Sequence, residues 1–168
     1  MSEELSPAMP ADVEAAVARV LERACAREIT IATAESCTGG LLASLLTDVE
    51  GCSHAFDRGF VVYSDQAKSD LLHIPRSTLD RFDAVSREVA IAMAEGALKA
   101  SQADVALSIT GFAGRGAKED EPGLVHFACA RHGADTAHYE AHFGDIGRGP
   151  VRIACIRTAL DMIERALT

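Results

Sequence analysis

No stretch of the 168-residue sequence approaches the ~20 consecutive apolar residues that a membrane-spanning helix requires. Met1–Pro10 also lacks the basic start and apolar run of a secretory signal. These two absences predict a cytoplasmic protein with no membrane partner. Basic residues are the minority, 16 Lys and Arg against 25 Asp and Glu, giving a net charge of −9. A nucleic-acid module carries the opposite footprint, so no nucleic-acid partner is expected. A small anion remains compatible, because it needs only a local positive pocket. The five cysteines (Cys25, Cys37, Cys52, Cys129, Cys155) are odd in number and contain no Cys-x-x-Cys pair. In a chain of this length that pattern points to reduced, mostly buried thiols rather than a disulfide framework. There is no His-Glu-x-x-His helix, no Gly-x-x-x-x-Gly-Lys-Ser/Thr loop, no internal repeat and no linker.

What is present suits one domain over residues 1–168, with residues 1–10 as a frayed lead-in. A 48% hydrophobic content can fill a core, and a domain of this size buries roughly 70% of its unfolded-chain surface. Val13, Ala16, Val17, Val20, Leu21 and Ala24 recur at helical spacing, predicting a helix from Asp12 to about Arg27. Strands are expected at Ile29–Thr33, Gly59–Tyr63 and Asp104–Thr110. Helices are expected after Gly40 on Leu41, Leu42, Leu45, Leu46 and Val49, over Ser64–His73, from Ser86 to about Ala100, and from about Gly149 to Ala166. Gly123–Arg131 and Thr136–Phe143, joined at His132-Gly133, read as an antiparallel hairpin. The sum is a three-layer α/β/α sandwich on a mixed sheet of about five strands.

Ser36 falls between a strand end and a helix start. The amides of Thr38, Gly39 and Gly40 have no helical partner there, and such a turn suits a phosphate or a developing oxyanion. Capping of the helix by Ser36 and Thr38 explains the same residues. Cys37 is a rival nucleophile without a fixed histidine partner, and a buried structural thiol accounts for it better. Lys68 shares a helical stripe with Ala67, Leu71 and Leu72, so its ammonium either snorkels to water or is desolvated; desolvation lowers a lysine pKa and makes the amine a usable base. Arg148 and Arg152, one helical turn apart, can hold a phosphate or simply form an exposed basic first turn. The glycine-rich loop Gly111–Gly116 is a weak phosphate cradle by itself. His138, Glu140 and His142 share a strand face that reads as a solvated surface rather than a metal site.

The strings Thr33-Ala34-Glu35-Ser36-Cys37-Thr38-Gly39-Gly40, Phe56-Asp57-Arg58-Gly59-Phe60-Val61-Val62-Tyr63-Ser64, Ala67-Lys68 and Ala84-Val85-Ser86 resemble the C-terminal domain of the competence/damage-inducible protein CinA. The resemblance runs from about Val13 to Leu167. It implies a three-layer fold with a mainly parallel sheet, a frequent dimer, and an amidase that converts nicotinamide mononucleotide to nicotinate mononucleotide and ammonia. The phosphorylated pyridine nucleotide is then the partner, and no cofactor or metal is implied. Carried over, the catalytic residues are Ser36, Lys68 and Tyr63. Glu35, Thr38, Gly39, Gly40, Arg58, Gly111, Gly114, Arg148 and Arg152 are expected around the oxyanion and substrate, with Arg58 adding like-charge repulsion to Lys68. Two loops depart from the family pattern. The usual Gly-Ile-Ala-Gly-Pro-x-Gly-Gly has Arg115 in place of proline here, and Gly-Asp-Arg is extended to Gly144-Asp145-Ile146-Gly147-Arg148. A free-standing member with altered loops also fits a non-catalytic nucleotide-binding or protein-partner module linked to competence or DNA damage.

Overall fold

A computed structural model of the chain describes residues 9–168, so most of the expected frayed lead-in lies outside the described residues. Six helices and five strands follow in the order α1 (Ala11–Ala26), β1 (Ile31–Glu35), α2 (Leu41–Leu45), β2 (Phe56–Val61), α3 (Asp65–Leu72), α4 (Arg76–Phe82), α5 (Arg87–Lys99), β3 (Val105–Gly111), β4 (Leu124–Arg131), β5 (Ala137–His142) and α6 (Arg148–Ala166). The sheet order is β2-β1-β3-β4-β5. β1 runs parallel to β2 and β3, and β4 is antiparallel to both of its neighbours. Only β4 therefore runs against the others, and the α/β/α sandwich is mixed and mainly parallel as expected. None of the helices in the described residues is long and apolar enough to cross a membrane.

The two faces of the sheet differ in side-chain size. Ile31, Val105, Leu107, Ile109, Val125 and Phe127 point toward α1, α2 and α6, forming a core of large side chains with Val17, Leu21, Ile156, Leu160 and others. The alternate positions Ala32, Ala34, Ala106, Ala128 and Ala130 face α3, α4 and α5. This period-two alternation lets α5 lie close to the sheet, where Ser108 Oγ donates to the Ala90 carbonyl at 2.6 Å. Close packing continues between helices. A Cβ on Gly96 would collide with the Leu72 carbonyl oxygen, so α3 and α5 touch through backbone.

Several boundaries differ from expectation, each for a local reason. β1 starts two residues later because Ile29 N–H is still bonded to the Ala24 carbonyl at the end of α1. β2 begins at Phe56, which pairs with Ile31, and stops at Val61 rather than Tyr63. α2 ends at Leu45, well short of Val49. α4 was not expected. Its one buried residue, Leu79, leaves no periodicity to read, and Pro75 and Asp83 bound it. α6 begins at Arg148 and carries Pro150 in its first turn, where the missing N–H would have no helical acceptor. The five cysteines are all free, and burial pushes the Cys129 thiol up to about 12.

Candidate active site

The site lies where the chain leaves the C-terminal ends of β1, β2 and β3. Glu35 ends β1 fully buried, and its carboxylate accepts from the amides of Leu42 at 3.0 Å and Ala43 at 2.8 Å. The carboxylate thus satisfies the first free amides of α2, where the helix dipole favours a negative charge. With α2 tied back onto β1, residues 36–40 are forced into a tight turn. Gly39 and Gly40 take positive φ values of 61° and 96°, which a side chain resists. Gly39 N–H donates to the Ser36 carbonyl, so it is not free for a ligand, contrary to expectation; among the described residues no acceptor pairs with the amides of Thr38 or Gly40.

This turn sets Ser36 over Lys68. Lys68 Nζ stands 3.3 Å from Ser36 Oγ and donates to the Val62 carbonyl at 3.0 Å. Both residues are buried, Lys68 to 1% exposure. The lysine therefore does not snorkel. Desolvation holds its pKa below the ordinary lysine value, against the opposing charges of Asp65 and Cys37. The expected sources of that desolvation need correction in part. Leu72 is buried beside it, but Leu71 is half exposed. Arg58 contributes no repulsion, because its guanidinium is bonded to Asp57 and to the Ala100 carbonyl at the other end of the sheet.

Ser36, Cys37, Tyr63 and Lys68 line a cavity of about 290 Å³ with Ala84, Val85, residues 110–116 and Arg148. Tyr63 is an exposed wall residue, bonded to neither Ser36 nor Lys68. Gly111 and Gly114 are there because side chains would not fit: a Cβ on Gly114 would stand 2.7 Å from Arg148 Cγ, and one on Gly111 2.7 Å from the Leu124 carbonyl oxygen. The two arginines expected as one clamp are separated. Arg148 faces the cavity, whereas Arg152 lies behind the turn and donates from Nη2 to the Thr38 carbonyl at 2.7 Å. Thr38 is wholly buried, so Thr38 and Arg152 support the turn from behind. Cys37 is buried, and its interaction with the buried Cys155 lowers the Cys37 pKa and raises that of Cys155.

Of the expected residues, Ser36, Lys68, Tyr63, Gly111, Gly114 and Arg148 surround one cavity. Glu35, Thr38, Gly39, Gly40 and Arg152 build the turn that presents Ser36, and Arg58 belongs to neither group. The wall residue Thr110 was missed. Its hydroxyl donates to the Ala84 carbonyl at 2.7 Å and fixes the α4–α5 loop against the cavity; a threonine ending a strand gives no signal of that. On the opposite hairpin His126, not foreseen, joins His138 at 3.0 Å, and burial lowers both pKa values. Among the described residues, no group of three or more His, Cys, Asp or Glu is placed to hold a metal ion.

Comparison with known proteins finds relatives over most of the chain. The nicotinamide-nucleotide amidohydrolase PncC of Escherichia coli is 47% identical over 145 residues, covering 85% of this chain and 80% of that protein. A CinA-like protein of Syntrophomonas wolfei is 45% identical over 139 residues, but they are only 33% of its length; the chain spans about a third of the first curated relatives it matches. The crystal structure of the competence/damage inducible protein CihA from Agrobacterium tumefaciens superposes with a TM-score of 0.91 at 43% identity, over 96% of this chain and 99% of that one. The CinA C-terminal domain profile matches residues 13–167, and the chain belongs to that family.

Proposed function

We propose that this protein is an amidohydrolase that deamidates nicotinamide mononucleotide through a Ser36–Lys68 nucleophile. The observation that carries the reading is the 3.3 Å approach of a buried lysine amine to a serine hydroxyl on the wall of a cavity. An amine in that setting gains little from staying charged, so its lone pair is available to the Ser36 proton. Support for the substrate comes from the PncC relative, whose name states its activity, and from Arg148 facing the same cavity.

In this reading, neutral Lys68 keeps one N–H on the Val62 carbonyl and accepts the Ser36 proton as Oγ attacks the carboxamide carbon. The amide of Cys37, on the cavity wall directly after Ser36, stabilises the oxyanion, at about 3–4 kcal/mol for a well-placed donor. Collapse breaks the C–N bond, and the leaving nitrogen takes the proton from the Lys68 ammonium and departs as ammonia. Water then attacks the acyl-serine, giving its proton to Lys68, and the carboxylic acid leaves as Ser36 is regenerated. Tyr63, on the cavity wall, orients the ring or the leaving group. Incubation with nicotinamide mononucleotide and mass detection of nicotinate mononucleotide tests the reading: one product per ammonia is expected. No conversion by the wild type, or conversion unchanged in Ser36→Ala, overturns it.

A further inference from the structure

The two loops that depart from the family pattern meet at the cavity mouth. Arg115 lies on the cavity lining, and its Nε and Nη2 each stand 2.7 Å from Asp145 Oδ2. The Arg115 side chain is 82% exposed and that of Asp145 42%. Arg148, three residues after Asp145, lines the same cavity, with its aliphatic stem against Gly114. Two guanidinium groups therefore border one small cavity, and one of them is held by a carboxylate at the rim.

Resting on the amidohydrolase reading above, we propose that Arg115 is a recruited substrate ligand: parked on Asp145 in the free protein, it moves onto the substrate's phosphomonoester beside Arg148. Asp145 then acts as an intramolecular competitor that sets affinity for the phosphorylated substrate. The energetics favour the exchange. An exposed ion pair is worth little, so releasing Arg115 from Asp145 costs little. A phosphate carries nearly two charges and accepts bidentate guanidinium bonds, making it the stronger partner. Arg115 follows Gly114 and precedes Gly116, so neither flanking residue carries a side chain to hinder its swing.

The opposite signs of two substitutions distinguish this role from a structural clasp. Arg115→Ala is expected to raise KM for nicotinamide mononucleotide about five- to tenfold, with the effect in KM rather than kcat, and to reduce its preference over the unphosphorylated nucleoside. Asp145→Asn is expected to lower KM about two- to threefold by releasing Arg115. The double variant should match Arg115→Ala alone, since Asp145 has nothing left to compete for. If Asp145→Asn raises KM as Arg115→Ala does, the pair only ties the loops together and the inference fails. It also fails if Arg115→Ala leaves KM unchanged. Calorimetric binding of the mononucleotide to the wild type and the same three variants should show the same signs in Kd. The clasp is thereby decided even if the wild type binds without turnover, a result that sinks only the amidohydrolase reading. Absence of binding overturns both.

Discussion

The floor and the rim of the cavity hold their cations in opposite ways. Lys68 on the floor is 1% exposed, faces a hydroxyl and a carbonyl, and is denied a counter-ion within hydrogen-bond reach. Arg115 at the rim is 82% exposed and doubly bonded to a carboxylate. Water and a counter-ion keep the rim charge stable and easily redirected. Dry surroundings make the floor charge unfavourable and turn the amine toward base chemistry. One cavity thus combines a cation suited to binding anions with an amine suited to losing its proton, and the difference is set by burial rather than residue type.

The floor breaks most severely when its proton chemistry is removed. Ser36→Ala and Lys68→Arg are each expected to lower kcat for ammonia release by about a thousandfold or more, since a guanidinium does not deprotonate in this pH range. Both proteins should keep the wild-type circular dichroism. The pH profile adds a second readout. Because burial depresses the Lys68 pKa, the active neutral form accumulates as pH rises, and the limb should have its midpoint below the ordinary ~10.4 of lysine. A limb centred at or above that value would mean that Lys68 is not the base.

The next largest effect should come from the support beneath the floor. Glu35→Ala strips the acceptor from two α2 amides, that of Leu42, which is buried, and that of Ala43, which is partly buried. Each orphaned buried donor costs about 1–3 kcal/mol, so chemical denaturation should show a loss of about 2–4 kcal/mol in stability together with a fall in kcat. Retained stability would place the turn's rigidity in Arg152 and its bond to the Thr38 carbonyl instead.

Lys68→Met sharpens the comparison from the side of stability. A depressed lysine pKa means that the native state binds fewer protons than the unfolded one between the folded pKa and ~10.4. Wild-type stability therefore rises with pH across that window, and the buried ammonium is a full penalty only below it. Methionine carries no such penalty. The variant should be more stable than the wild type by about 1–2 kcal/mol at neutral pH, with the gain shrinking as pH approaches 10. A gain independent of pH would show that packing, not charge, is responsible.

These contrasts explain what was legible in the sequence. The Ser36 turn was readable because its parts are contiguous, with β1, Ser36 and the glycines falling within ten residues. The pairing of Ser36 with Lys68 spans 32 residues, and only the family resemblance suggested it. The apolar stripe alone favoured snorkelling over burial, because a stripe does not reveal which side is covered; Leu72 is buried and Leu71 is not. Arg148 and Arg152 looked alike at helical spacing, yet α6 turns one to the cavity and the other to the Thr38 carbonyl. α4 was invisible because one buried leucine makes no pattern. Contact across the sheet, not local propensity, decided each of these.

Arg58 gives the smallest effect and the most direct test of location. Its place in a motif beside Tyr63 suggested a substrate contact, but β2 carries it to the opposite end of the sheet from Ser36. There Nε bonds Asp57 at 2.8 Å and Nη1 the Ala100 carbonyl at 3.2 Å, while Asp57 also accepts from the Gln102 amide at 3.0 Å. The guanidinium thus ties β2 to the turn between α5 and β3, and it is partly exposed, so its contribution is that of a surface pair with one added hydrogen bond. Arg58→Ala should lower stability by no more than about 1 kcal/mol. KM and kcat for the mononucleotide should stay within about twofold of wild type, because no cavity residue touches Arg58 and its charge is screened over the length of the sheet. A tenfold rise in KM would instead place Arg58 on the substrate and require β2 to shift its register along β1 when ligand binds.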